Sequence, residues 1–381
     1  MERVMLNKIA WIKSHTDWEV KVVTTDQHHR PTFYPLPDGV TMQDLDINYS
    51  DDNSKHPLLK IAGYLRRRQV HRRRLTELLM RERADIVVSL FPSESSFIPS
   101  IADGSRKVLE LHLCKFFRLQ YGRHGLLGLI DRWRTRTDER LVRRFDSLVV
   151  LTEEDRGYWG NLPNISVIGN AVVPMGASAD ASAHRVIAVG RLDYQKGFDR
   201  LIDAWALVKR HADAADWRLD IFGQGEWHDM LVGKIEAAGL SDSAAVNPPT
   251  KQIAAEYARS GMLVMSSNYE GFPMVMIEAM GCGLPVVTFG FRCGPRDIID
   301  NGKNGIVVKE GNIEALADAM LTLMSDDALR RAMSAEARKV SERYSEERVM
   351  AQWRELFERL AANREIYRKG LSETSSLYAI E

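Results

Sequence analysis

The 381-residue chain has only three cysteines, Cys114, Cys282 and Cys293, and no C-x-x-C pair. That spacing predicts neither a disulfide framework nor a zinc cluster and suits a reducing, cytoplasmic compartment. No apolar run approaches the roughly 20 residues of a membrane span. The start of the chain has no apolar signal-peptide core. Net charge is absent too, since 52 Lys and Arg balance 52 Asp and Glu. No internal repeat or low-complexity block stands out. Secreted disulfide scaffolds, integral membrane proteins and repeat arrays are thereby set aside, and membrane association would be peripheral.

What remains is a folded chain long enough for two domains. Apolar strand patterns over 20–24, 86–90, 108–111 and 148–151 alternate with helical patterns over 4–11, 58–83 and 126–144. A second series has strands over 186–189, 219–222, 263–265 and 286–288. Its helices are expected over 200–210, 227–238, 252–259 and 313–324. Such alternation predicts α/β domains with parallel sheets. The small, polar stretch 174–184 reads as a linker. The expected division is 1–173, linker 174–184, 185–345, then a C-terminal helix and tail over 346–381. That helix is expected to return toward the first domain and to end near Leu360, with the tail after Ile366 frayed.

The most informative segment lies between the strand patterns at 263–265 and 286–288. It carries Glu270-Gly271-Phe272-Pro273-Met274-Val275, then Glu278, then Gly281-Cys282-Gly283-Leu284-Pro285. A loop leaving a parallel strand and opening a helix is where open α/β sheets bind anions. The N–H groups of residues 272–275 are expected to be free there. This block resembles the E-x7-E signature of retaining, nucleotide-sugar-dependent glycosyltransferases of GT-B type, the family-four group.

The resemblance runs over about 1–360 and implies two Rossmann-like, doubly wound domains facing a cleft. It implies that Glu278 binds the ribose and that Glu270 faces the donor sugar. Backbone groups near Phe272, Pro273, Met274 and Val275 would hold sugar and phosphate. Gly190, Arg191 and Lys196 form the first loop of the second domain, and the two cations would stabilise the leaving diphosphate. Gly223 and Gly225 would lie beside the nucleotide, with 246–251 near the base. His112, ending a first-domain strand, would sit beside the transferred sugar, and Asn170 at the hinge. No D-x-D stands in a donor loop, so no metal is expected.

The implied reaction moves a hexose or N-acetylhexosamine from a UDP-sugar to a glycan or lipid-linked acceptor in surface-polysaccharide synthesis. A nucleotide-sugar epimerase is the alternative. The family pattern places a strand and a Gly-rich loop before the motif at 2–7, so a shortened or rearranged first domain is expected. A nucleotide-binding but inactive relic is therefore a further alternative. Between residues 55 and 144 stand 21 Lys and Arg against 9 Asp and Glu. Within this stretch Arg66, Arg67, Arg68, Arg72, Arg73 and Arg74 form a basic helix that suits an anionic membrane surface. No base-reading motif accompanies it, so nucleic acid is not an expected partner.

Overall fold

Among the described residues, twelve α-helices and twelve strands largely alternate, following the switch between apolar runs and helical periodicity. The computed structural model describes residues 2–28, 30–52, 56–90, 93–120 and 123–375. The side chains of 52, 57, 58, 60 and 363–375 lie outside the description. The helices are α1 Glu2–His15, α2 Pro57–Glu82, α3 Gly125–Val142, α4 Glu153–Trp159, α5 Phe198–Val208 and α6 His228–Ala237. They continue as α7 Ile253–Ala258, α8 Met274–Gly281, α9 Pro295–Ile298, α10 Ile313–Ser325, α11 Asp327–Arg343 and α12 Glu346–Ser375.

The second domain holds a six-stranded parallel sheet in the order β9-β8-β7-β10-β11-β12. Its strands are β7 Arg185–Val189, β8 Arg218–Phe222, β9 Ala244–Asn247, β10 Met262–Met265, β11 Val286–Phe289 and β12 Gly305–Val308. Chain order reverses between β7 and β10, which is the switch point of a doubly wound sheet. Strand β10 is buried along its whole length, as its unbroken apolar run requires.

The first domain departs from the single sheet expected of it. Among the described residues, strands β1 Lys21–Thr24 and β2 Thr41–Asp44 form a two-stranded parallel sheet of their own. Strands β3 Ile86–Ser89, β4 Arg106–Glu110, β5 Ser147–Val150 and β6 Ile165–Val167 form a separate parallel sheet. The short strands β2, β6, β9 and β12 went unread because three or four residues carry too little periodicity. Helix α11 was missed for another reason, since its polar residues outweigh a narrow buried stripe.

Helix α12 packs Val349, Met350, Trp353, Leu356 and Phe357 against Val108 and Val149 of the first-domain sheet. It runs on to Ser375, past the fraying expected after Ile366. The 174–184 stretch is no free linker, because Ala179 N–H donates to Cys282 O and Asp180 N–H to Ala258 O. These bonds bind it to the second domain.

Candidate active site

At the switch point the loops after β7 and β10 meet. Lys196, on the first, donates through Nζ to Glu270 Oε1 on the second at 2.6 Å. Ser267 Oγ donates to the same oxygen at 2.8 Å, and Gln195 Nε2 to Oε2 at 3.2 Å. Glu270 is buried, and both of its carboxylate oxygens accept from these donors. Arg191 stands apart from that cluster. It donates to Gln195 Oε1 at 2.6 Å and pairs with Asp193 at 3.3 Å, while 69% of its side chain is exposed. Arg191 therefore offers a solvent-facing guanidinium beside the partly buried Lys196 ammonium.

The glycines explain how the loops come so close. A Cβ on Gly223 would lie 1.9 Å from Gly190 O, and one on Gly225 2.3 Å from Leu192 O. Gly190 in turn leaves room for the Lys196 stem. The two backbones are also joined directly, with Gly190 N–H donating to Phe222 O and Leu192 N–H to Gln224 O.

The free N–H groups expected over 272–275 are fewer than four. Pro273 has none, and Met274 N–H donates to Phe272 O at 2.9 Å. Phe272 and Val275 keep N–H groups outside the described loop bonds at the start of α8. Glu278 lies one turn further along α8. Burial raises its carboxyl, with Arg3 of α1 pulling the other way across the cleft. No hydrogen bond or ion pair engages it among the described residues, so its oxygens are open acceptors.

The first domain answers with His112. Its Nε2 lies 3.2 Å from Glu110 Oε1, and Lys8 Nζ donates to both oxygens of Glu110 at 2.7 Å. Lys8 also sits 3.5 Å from the centre of the Trp353 ring on α12. Burial works to raise the Glu110 carboxyl, but Lys8 and His112 outweigh it and hold it down at about 2. Burial lowers the Lys8 ammonium even as Glu110 pulls it up. A charged Glu110 thus fixes the His112 ring. A Cβ on Gly271 would lie 1.9 Å from His112 O, so the Glu270 loop rests directly on the first domain. Lys8, Gln195 and Ser267 escaped sequence reading, since no spacing links them to Glu110 or Glu270. Asn170 is buried at the domain boundary.

The boundary is tied at a second place. Asp297 of α9 accepts from Glu153 N–H at 3.0 Å and Glu154 N–H at 3.2 Å, capping α4 from the other domain. Arg296 pairs with Glu154 at 2.6 Å. Cys114 and Cys293, expected to be unrelated, lie together here with Asp155. Sequence spacing could not reveal this, because the ligand types come from three separate segments.

The basic helix is reorganised. Arg67 and Arg74 of α2 donate to the carbonyls of Ile47 and Leu45, and Arg68 donates to Ser96 Oγ. Arg66, Arg72 and Arg73 stay exposed. Half of the predicted membrane face is thus spent on holding the 45–47 and 96 loops. Meanwhile α3 exposes Leu126, Leu127, Leu129, Ile130 and Trp133, the last at 67%.

Residues 179–340 match the model of the glycosyl transferases of group 1. The chain is 33% identical over 276 residues to the amylovoran biosynthesis glycosyltransferase AmsD of Erwinia amylovora, covering 67% of this chain and 76% of that protein. It spans 25% to 65% of the next relatives' lengths. A sucrose-phosphate synthase from Thermosynechococcus elongatus superposes with a TM-score of 0.78 at 16% identity, covering 95% and 94% of the two chains. Anabaena HepE, solved with UDP and glucose, gives 0.68 at 17% identity over 94% and 95%. The fold is GT-B.

Proposed function

The chain belongs to the group 1 glycosyltransferases, and we propose that it moves a hexose or N-acetylhexosamine from a UDP-sugar to a glycan or lipid-linked acceptor. The process would be surface-polysaccharide synthesis, as the amylovoran relative suggests. The observation that carries this reading is the pairing of a partly buried Lys196 with the buried Glu270 at the switch point, beside an exposed Arg191 and an unpartnered Glu278. Two cations suit a diphosphate whose negative charge grows as it leaves. Glu278 suits the ribose hydroxyls, which can donate to its free oxygens. The UDP and glucose in the Anabaena structure support a uridine donor.

In this reading the bond from the anomeric carbon to the β-phosphate oxygen breaks, and a bond to an acceptor hydroxyl forms on the same face. The departing phosphate takes the hydroxyl proton. Arg191 and Lys196 stabilise the phosphate, Glu270 and His112 face the sugar, and the Phe272 and Val275 N–H groups add donors. No metal is required at the donor. The reaction would run at the cytoplasmic face of a membrane, with α3 as the contact. Its apolar residues are flanked by Arg132, Arg134 and Arg136, all exposed, a composition suited to an anionic interface.

The deciding experiment supplies UDP-, GDP- and ADP-sugars with and without a lipid-linked acceptor, omitting magnesium and manganese. Free UDP should form only when acceptor is present, and the product should keep the donor's anomeric configuration. Strict dependence on either metal, or inversion, would overturn the mechanism.

A further inference from the structure

Three buried groups that the transfer reaction does not use meet at the domain boundary. Cys114 follows β4, Asp155 lies in the first turn of α4, and Cys293 precedes α9. Their sulfur and oxygen atoms lie within 4.8 Å of one another, with Cys293 Sγ 3.8 Å from Asp155 Oδ1. The Asp155 carboxylate accepts from Lys115 N–H at 2.8 Å and Trp159 Nε1 at 3.3 Å, both neutral donors. Among the described residues no cationic side chain pairs with it. The Lys115 ammonium turns to Glu139 and to Tyr158 O instead. Cys293 also holds a φ of +64°, although Gly294 stands next to it. A side-chain residue pays backbone strain in that conformation, which persists when the surroundings over-determine it.

We propose that Cys114, Asp155 and Cys293 bind one soft divalent cation of the zinc class, tying the two domains together. Tetrahedral zinc has bonds of about 2.3 Å to sulfur and about 2.0–2.2 Å to oxygen, so its ligands stand roughly 3.5–3.8 Å apart. The Cys293–Asp155 spacing of 3.8 Å already matches, and the other ligand atoms, all within 4.8 Å, would need to close by about 1 Å at most. Two thiolates select zinc or cobalt over magnesium. On binding, each thiol loses its proton to solvent, the carboxylate coordinates, and water takes the fourth position. The two positive charges of the cation replace the two thiol protons, so the cluster keeps the net charge of −1 that the carboxylate carries alone, now held by direct coordination. The Trp159 and Lys115 N–H groups orient that carboxylate as outer-shell donors. The site is independent of the sugar-transfer reading, because its ligands are assigned no part in binding donor or acceptor.

The test uses the full chain, reduced, stripped with a chelator and titrated with Zn²⁺ or Co²⁺ alone. One ion should bind per chain, with release of two protons and a rise in melting temperature. Cobalt should give a sulfur-to-metal charge-transfer band. Cys114→Ser and Cys293→Ser should each weaken that band and lower affinity roughly tenfold or more, while Cys282→Ala should leave both intact. Should the serine variants unfold, the cobalt spectrum of the unaltered chain decides alone. Cobalt bound without a sulfur band would overturn the site, as would no binding with three free thiols. So would a Cys114–Cys293 disulfide in protein isolated without reductant.

Discussion

At the scale of single residues, Glu278 and Lys196 separate binding from catalysis. Glu278→Ala removes an open carboxylate acceptor, and hydrogen bonds to charged groups are worth about 1.5–3 kcal/mol. UDP affinity by calorimetry should fall about ten- to a hundredfold, and unchanged affinity would remove the ribose role. Lys196 and Arg191 are not equivalent, although both read from sequence as loop cations. Lys196 is the partly buried cation that pairs the buried Glu270, so Lys196→Ala should cost stability as well as rate. Arg191 is mostly exposed, so Arg191→Ala should shift stability by about 0.5 kcal/mol or less. Both should lower kcat by about 10²–10³. Rate per folded molecule, measured beside thermal melting, separates the two effects. An Arg191→Ala variant with normal kcat would place that side chain outside the reaction.

At the scale of elements, β4 carries a pH-dependent tie. Glu110 is held at about 2, below its ordinary 4.5. Its contribution is therefore fully present above the ordinary value and lost as pH falls from about 4.5 to about 2. Glu110→Gln should lower the melting temperature at neutral pH, since it strands the partly buried Lys8, at a cost of up to about 3–5 kcal/mol. The gap from the unaltered protein should narrow as acid reaches that window, and a constant gap would count against the ion pair. Helices α2 and α3 make a different contrast. The arginine run made α2 conspicuous in the sequence, yet backbone carbonyls consume part of it. Helix α3 was legible as a helix, but that Leu126, Ile130 and Trp133 stay exposed on it emerged only from the fold. Trp133→Ser together with Leu126→Ser should abolish co-sedimentation with anionic vesicles. Charge reversal at Arg66, Arg72 and Arg73 should weaken it less. Each arginine near such a surface is worth about 1 kcal/mol. Equal binding of all variants would exclude α3 as the contact.

At the scale of the whole molecule, the Glu270 loop rests on the carbonyl of His112. Gly271→Ala places a methyl 1.9 Å from that backbone oxygen, where no side chain can yield. The expected result is two folded domains held apart, with kcat reduced at least tenfold while UDP still binds the second domain. Small-angle scattering should show a larger radius of gyration. Full activity would mean that the closed arrangement is not the working one.

The E-x7-E block, the Gly190–Lys196 loop and the alternation of strand and helix were readable in the chain itself. Each depends on residues within about ten positions of one another, where local backbone geometry and burial leave a periodic trace. The second domain was therefore largely legible, down to the loops that bear Lys196 and Glu270. Only the tertiary structure decided which distant groups meet. Lys8 reaches Glu110 across 102 residues, and Cys293 reaches Asp155 across 138. It also split the first-domain strands into two sheets and turned three arginines of α2 inward. The physical reason is the same in each case. A side chain's partner is set by the packing of whole elements and by the need to pair buried charge, and neither leaves a local pattern in sequence.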